Sequence, residues 1–149
     1  MYEYTKYRLE VVRESTTMSE HHYKISSPDD MHKFLVDICR INYAPQEVFI
    51  VVALNAKGNI VGYHTVSIGD ISSSIVHPRE VFKYLVTCNA CGTILCHNHP
   101  SEDPTPSGED IKVTQRLVSA GELLGISVLD HIIVGNETEY VSLKQEGYI

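Results

Sequence analysis

Apolar and polar residues change period along this chain, and the changes mark its elements. Tyr7, Leu9 and Val11 alternate with polar neighbours, as in a half-buried strand, before Glu14 to His22 lose any period. Ser26-Ser27-Pro28-Asp29-Asp30 then gathers helix-start signals: Ser27 as a cap, Pro28 at the first helical position, and two acids at the positive end of the helix dipole. Met31, Phe34, Leu35 and Ile38 follow at helical spacing, which predicts a helix ending near Asn42, before Pro45. Glu47 to Leu54 is a nearly unbroken apolar run rich in β-branched residues, the pattern of a strand buried on both faces. Asn55 to Asn59 supplies turn chemistry, and Ile60 to Ile68 reads as the second arm of a hairpin.

After a loop over Gly69 to His77, Pro78 opens a second helix with Val81, Phe82, Leu85 and Val86 on one face. Gly92 to Cys96 is a short strand. Ser107 opens a third helix, with Ile111, Thr114, Leu117, Val118 and Leu124 facing inward and Gly125 as its stop. Ile126 to Val134 and Tyr140 to Leu143 close the chain as strands. The order predicts an α/β (α+β) fold, a curved mixed sheet flanked by about three helices. Residues 1–25 read as an N-terminal strand and loop extension, and residues 26–149 as the domain.

Composition narrows the class. A chain of 149 residues with 43% hydrophobic and 21% charged residues has the make-up of one globular domain. No apolar run approaches the roughly 20 residues of a membrane span, and the first residues lack the blocks of a signal peptide. The expected location is the cytoplasm, with Cys39, Cys88, Cys91 and Cys96 as reduced thiols. A net charge of −7 lacks the basic footprint of non-specific nucleic-acid binders.

The chemistry gathers in Cys96-His97-Asn98-His99-Pro100 and the Pro-rich loop after it. Strand periodicity puts His97 and His99 on one side, and the loop can fold Asp110 back to them. Two imidazoles and one carboxylate make three ligands, the number by which catalytic zinc keeps its fourth position open for water.

The pattern His-x-His-x₇-Ser-x₂-Asp resembles the signature of the JAMM (MPN+) metallopeptidases, in particular their RadC-like branch. That branch's run His-Asn-His-Pro-Ser-Gly-Asp-Pro-x-Pro-Ser-x-x-Asp is matched except that Glu102 stands at the usual Gly. The resemblance covers residues 26–149 and implies a JAMM/MPN-like (cytidine-deaminase-like) architecture in a short form without the N-terminal helix-hairpin-helix region of longer RadC-like chains. It implies zinc on His97, His99 and Asp110, with Glu47 as general base and acid. Glu47 opens a strand that follows a helix and lies 50 positions before His97. Glu80 and Glu102 are its competitors. To Ser107 the resemblance gives an oxyanion hydrogen bond, while Ser-x-x-Asp before an apolar run is also a plain helix cap. Asn98 must face away as structural support. Asp130-His131 fits the RadC-like pattern too, either as contacts behind a ligand histidine or as a hydrogen-bonded pair in a buried strand.

Cys88-Asn-Ala-Cys91 lacks a second pair for structural zinc and follows a helix instead of opening one, so packing is the expected role of its thiols. His21, His22, His64 and His77 read as surface or loop residues, with His77 a candidate cap. The leading functional expectation is a zinc peptidase or isopeptidase acting on peptide or protein substrates, with amides of lysine side chains as candidates. The alternatives are a DNA-repair accessory or nuclease, and a zinc-containing interaction module without turnover. Three adjacent letters His-Asn-His are not the dispersed motif of the nucleases that share that name.

Overall fold

The most apolar run of the chain becomes the strand on which the sheet is built. Val48–Leu54 is β1, and every residue from Phe49 to Leu54 is buried, as a β-branched run covered on both faces requires. In the computed structural model, which describes residues 1–72 and 75–149, β1 turns into its antiparallel partner β2, Ile60–Ile68. The turn is held by the Asn55 carboxamide oxygen, which accepts the N–H groups of Lys57 (2.9 Å) and Asn59 (3.0 Å). Gly58 supplies its left-handed φ of 77°.

β3 (Gly92–Asn98), β4 (Ser127–Val134) and β5 (Tyr140–Ser142) complete a five-stranded sheet in the order β2-β1-β3-β4-β5. β3 runs antiparallel to β1 and parallel to β4, so the sheet is mixed. A parallel neighbour needs a crossover, and α3 (Gly108–Leu124) supplies it, from the Ser107 cap to Gly125 in the left-handed conformation.

Alternation along the strands divides the core in two. Phe49, Val51, Ala53 and Leu95 face α2 (Pro78–Thr87) and α3. Ile50, Val52, Ile94, Cys96, Ile132 and Val134 face α1 (Pro28–Phe34). The mixed α/β architecture expected from the sequence is the one observed.

Several details differ from expectation. Tyr7, Leu9 and Val11 form no strand: residues 1–22 are exposed, and the first sheet contact is a single bridge from Lys24 to Asn59. Their alternation has no partner strand to bury it. The first helix ends earlier than Asn42, because Leu35–Cys39 widens into a π-helical turn and Arg40 turns left-handed (φ 53°). Val86 and Leu124, expected inside, are exposed, as is Cys91, so packing accounts for Cys88 alone of that pair. Of the loop over Gly69 to His77, Ser73 and Ser74 lie outside the described residues.

The loop after β3 is fastened to the end of β4. His99 N–H donates to the Val134 carbonyl (2.9 Å) and Glu102 N–H to the His99 carbonyl (2.9 Å). A Cβ at Gly135 would lie 2.5 Å from the Glu102 carbonyl oxygen, so only glycine lets the loop sit this close. Glu102 itself has a φ of 67°, the left-handed region. Where the resembling pattern carries Gly, this chain keeps the glycine backbone and places a side chain on it.

Two predictions come from these local structures. Left-handed backbone costs a residue with a Cβ roughly 1–2 kcal/mol, partly offset by the freedom glycine has when unfolded. Glu102→Gly should therefore stabilise the fold by up to about 1 kcal/mol in urea titration, and a loss of stability would contradict the strain. At α1, Asp30 Oδ2 accepts from Ser26 N–H (3.0 Å) and Oγ (2.8 Å) and from Ser27 N–H (2.9 Å), which holds its carboxyl down at about 2. Asp30→Ala should cost about 1 kcal/mol at neutral pH. Because the folded-state value is depressed, that contribution is complete above about pH 4 and is lost as pH falls through about 2. The gap in melting temperature between wild type and variant should close over that window.

Candidate metal centre

β3 delivers the two histidines. Strand alternation and the loop's attachment at His99 put both rings on the side of the sheet that α3 covers, and the first turn of α3 brings Asp110 against them. His97 Nε2 lies 3.0 Å from His99 Nε2 and 3.2 Å from Asp110 Oδ1, and His99 Nε2 lies 3.3 Å from Asp110 Oδ2. His97 and Asp110 are buried and His99 is nearly so. The structure brings together all three residues that the spacing singled out.

These atoms fit a metal ion. Ligands at roughly 2.0–2.1 Å from a tetrahedral zinc stand about 3.3 Å apart, close to the separations observed. His99 Nδ1 is 2.7 Å from the Asp103 carbonyl oxygen. A carbonyl cannot donate, so the hydrogen of that bond sits on Nδ1, and the neutral ring turns the lone pair of Nε2 to the centre. The electrostatics have the same sense. Burial would raise the Asp110 carboxyl, but the adjoining imidazoles of His97 and His99 and the Ser107 N–H outweigh it and hold the group far below the usual carboxylate range. The neighbouring Asp110 carboxylate raises His99 against the opposing effect of burial. Both shifts describe a centre that attracts positive charge. Among the described residues, His97, His99 and Asp110 are the group able to hold a metal ion.

Ser107 caps α3 in a reciprocal box. Its Oγ accepts the Asp110 N–H (3.1 Å), and its own N–H donates to Asp110 Oδ2 (2.7 Å). Accepting leaves the hydroxyl hydrogen of Ser107 for another partner. Asp110 thus belongs to the cap as well as to the histidine cluster.

Glu47 reaches the same region from β1. Phe49 pairs with His97 across β1 and β3, and the same register continued by two residues sets Glu47 opposite His99. Its Oε2 accepts the Ile71 N–H at 2.9 Å, and its charge contributes to the upward shift of His99. Glu80 is spent on the surface, 2.6 Å from Lys83, and Glu102 is exposed on the loop.

Asn98 points the other way, as period two demands. Its Oδ1 accepts the Val48 N–H (2.7 Å), and its Nδ2 donates to the Gln46 (3.0 Å) and Ala44 (3.4 Å) carbonyls. His131 has the role the sequence left open: its Nε2 is 2.8 Å from His97 Nδ1, and its Nδ1 is 2.6 Å from Thr114 Oγ1. Asp130 accepts from the His131 N–H (2.7 Å), so the two are also a hydrogen-bonded pair in a buried strand, and from Ser142 Oγ (2.6 Å) and Lys144 N–H (3.1 Å), tying β4 to the end of the chain. Thr114 was legible only as an inward helix position. The available signal was its place four residues after Asp110, one turn along the same face. His77 caps α2 through Nδ1, which accepts the Arg79 N–H (3.2 Å).

Known proteins share much of this sequence. The chain is 49% identical over 134 residues to a UPF0758 protein of Alkaliphilus metalliredigens, covering 90% of this chain and 56% of that protein. It is 51% identical over 126 residues to a UPF0758 protein of Caldanaerobacter subterraneus (85% and 53%) and 47% identical over 131 residues to one of Bacillus pumilus (88% and 57%). The chain therefore spans somewhat more than half the length of these curated relatives. The model of the RadC-like JAB domain matches residues 25–148 and takes in β1, the two histidines and the capped turn with Asp110. With most of its length inside that match, the chain belongs to the RadC-like JAB domain family.

Proposed function

We propose that this domain is a zinc-dependent hydrolase that cleaves amide bonds in peptide or protein substrates, with amides of lysine side chains as the candidate subset. The observation that carries the reading is the mutual spacing of His97 Nε2, His99 Nε2 and the Asp110 carboxylate, 3.0 to 3.3 Å. Zinc held there would supply Lewis acidity and an activated water at neutral pH.

The remaining steps fall to the chain's own residues. Glu47, placed opposite His99 and anchored through Oε2 by the Ile71 N–H, takes the proton from the attacking water on its carboxylate and returns it to the leaving amine. Ser107, whose Oγ already accepts from Asp110 N–H, donates its hydroxyl hydrogen to the oxyanion that forms at the attacked carbonyl. Phe49, stacked at 6.1 Å on His97, closes one side of the ligand ring against water. The four cysteines are free thiols, the form a reducing cytoplasm maintains. A net charge of −7 runs against a nucleic-acid substrate. No helix among the described residues is long and apolar enough to cross a membrane.

Three substitutions test the roles. Glu47→Gln should retain zinc by elemental analysis and lose about 10²–10⁴-fold in hydrolysis of lysine-branched peptides. Ser107→Ala should lose about 10²-fold in kcat together with about 1 kcal/mol of stability from the cap. Asp110→Ala should lose most of the metal. Zinc retained in full by that variant would remove the carboxylate from the ligand set, and wild-type protein that purifies and reconstitutes without metal would end the zinc reading.

A further inference from the structure

We propose that Thr114 and His131 are positioning residues that fix the tautomer of His97 and so present its Nε2 lone pair to the metal. The inference rests on the metal reading above. It concerns a buried chain of four groups: His97 Nδ1 to His131 Nε2 at 2.8 Å, His131 Nδ1 to Thr114 Oγ1 at 2.6 Å, and Thr114 Oγ1 to the Asp110 carbonyl oxygen at 2.6 Å.

The protons in this chain can be assigned from its far end. The Asp110 carbonyl can only accept, so the short contact with Thr114 requires the single hydroxyl hydrogen of Thr114. With that hydrogen committed, Thr114 Oγ1 can only accept from His131, which places the ring hydrogen of His131 on Nδ1. His131 is fully buried, and its two nitrogens face a hydroxyl and another imidazole, with no carboxylate bonded to either. A positive charge enclosed in this way, with no counter-charge bonded to it, would be costly, so the ring carries a single hydrogen. A neutral ring with hydrogen on Nδ1 must accept at Nε2. The hydrogen of the remaining bond therefore belongs to His97 Nδ1, and His97 Nε2 is left as a lone pair facing His99 and Asp110.

The opposite direction of bonding fails at one identifiable point. Were Thr114 to donate to His131, two oxygens would face each other at 2.6 Å with no hydrogen between them. His97 would then carry its hydrogen on Nε2, where a metal ion must bind.

Fold geometry makes the chain possible. The β3–β4 register skips Leu129: Thr93 pairs with Val128, Ile94 with Asp130 and Leu95 with His131. Without that bulge Leu95 would pair with Asp130, and the aspartate, not His131, would face His97. Thr114 lies one turn after Asp110 on α3, so the turn that supplies the carboxylate ligand also terminates the chain that orients a histidine ligand. Orienting partners of this kind are commonly worth 10–100-fold in metal affinity.

The test is zinc affinity by competition with a chromophoric chelator, on wild type, Thr114→Val and Thr114→Ser. Thr114→Val keeps the shape and removes the hydroxyl, and should weaken zinc binding about 10–100-fold. Thr114→Ser keeps the hydroxyl and should bind nearly as wild type does. A folded Thr114→Val that binds zinc as tightly as wild type overturns the proposal, and so does equal loss in both variants, which would trace the effect to packing. Should Thr114→Val fail to fold, long-range ¹H–¹⁵N spectra of zinc-loaded wild type decide: hydrogen on Nδ1 of both His97 and His131 supports the assignment, and hydrogen on Nε2 of His131 overturns it. Wild type that binds no zinc removes the metal reading itself, an outcome distinct from wild type that binds while Thr114→Val binds equally well.

Discussion

The register of β3 is the constraint on which everything near the site depends. β3 lies between an antiparallel and a parallel neighbour, and all seven of its residues are buried, so no slip can be hidden against solvent. A shift of one residue against β1 would turn His97 to the face of α1 and bring Asn98 to the face of α3. The register is defended by what lies on each side. Phe49 stacks on His97 while Asn98 takes the Val48 N–H. Moving the strand would strand a polar group on either face, at a cost of about 1–3 kcal/mol for each buried group left unpaired.

The second organising element is the first turn of α3. A helix start is where backbone N–H groups lack partners and the dipole favours negative charge, so a carboxylate fits there before any metal is considered. This chain uses that place twice over. Asp110 completes the cap through Oδ2 and Ser107 N–H, and the same carboxylate meets both histidine nitrogens. Its backbone carbonyl, one turn back from Thr114, ends the hydrogen-bond chain from His97. The clustering explains how a buried carboxylate with no Lys or Arg partner among the described residues stays ionised: its charge is met by hydrogen bonds from the cap and by the imidazoles.

Sequence made the site legible to a large extent because its chemistry is local. His97, His99 and Asp110 fall within one strand and one capped turn, so period two and a helix-start signal were enough to bring them together. Glu47 lies far away in sequence, and only the resemblance pointed to it. The β1–β3 register shows why a residue just ahead of an apolar run can stand beside His99. What escaped was set by tertiary context. Alternation at Tyr7, Leu9 and Val11 reads as a strand, but a strand needs a neighbour, and these residues have none. The π-helical turn at Leu35–Cys39 and the bulge at Leu129 leave no mark in hydrophobic period, yet the bulge decides whether Asp130 or His131 faces the histidine pair. Thr114 was placed correctly inside, while its bond to His131 depended on that bulge.

The middle residue of His97-Asn98-His99 shows how one period can carry two tasks. The outer side chains turn toward α3 and converge with Asp110. Asn98 turns to the other face, where its carboxamide holds the Val48 N–H and the Gln46 and Ala44 carbonyls, the backbone on both sides of Glu47. An apolar residue at 98 could fill the same volume, but it would leave those three backbone groups to find other partners at the segment that aims Glu47. A carboxylate would accept from Val48 and repel the two carbonyls. A carboxamide offers an acceptor and a two-hydrogen donor in one planar group, and asparagine carries it one methylene closer to the backbone than glutamine does. The strand that presents the proposed ligands thus also fixes the segment bearing the proposed base, so one side chain ties the two halves of the site together.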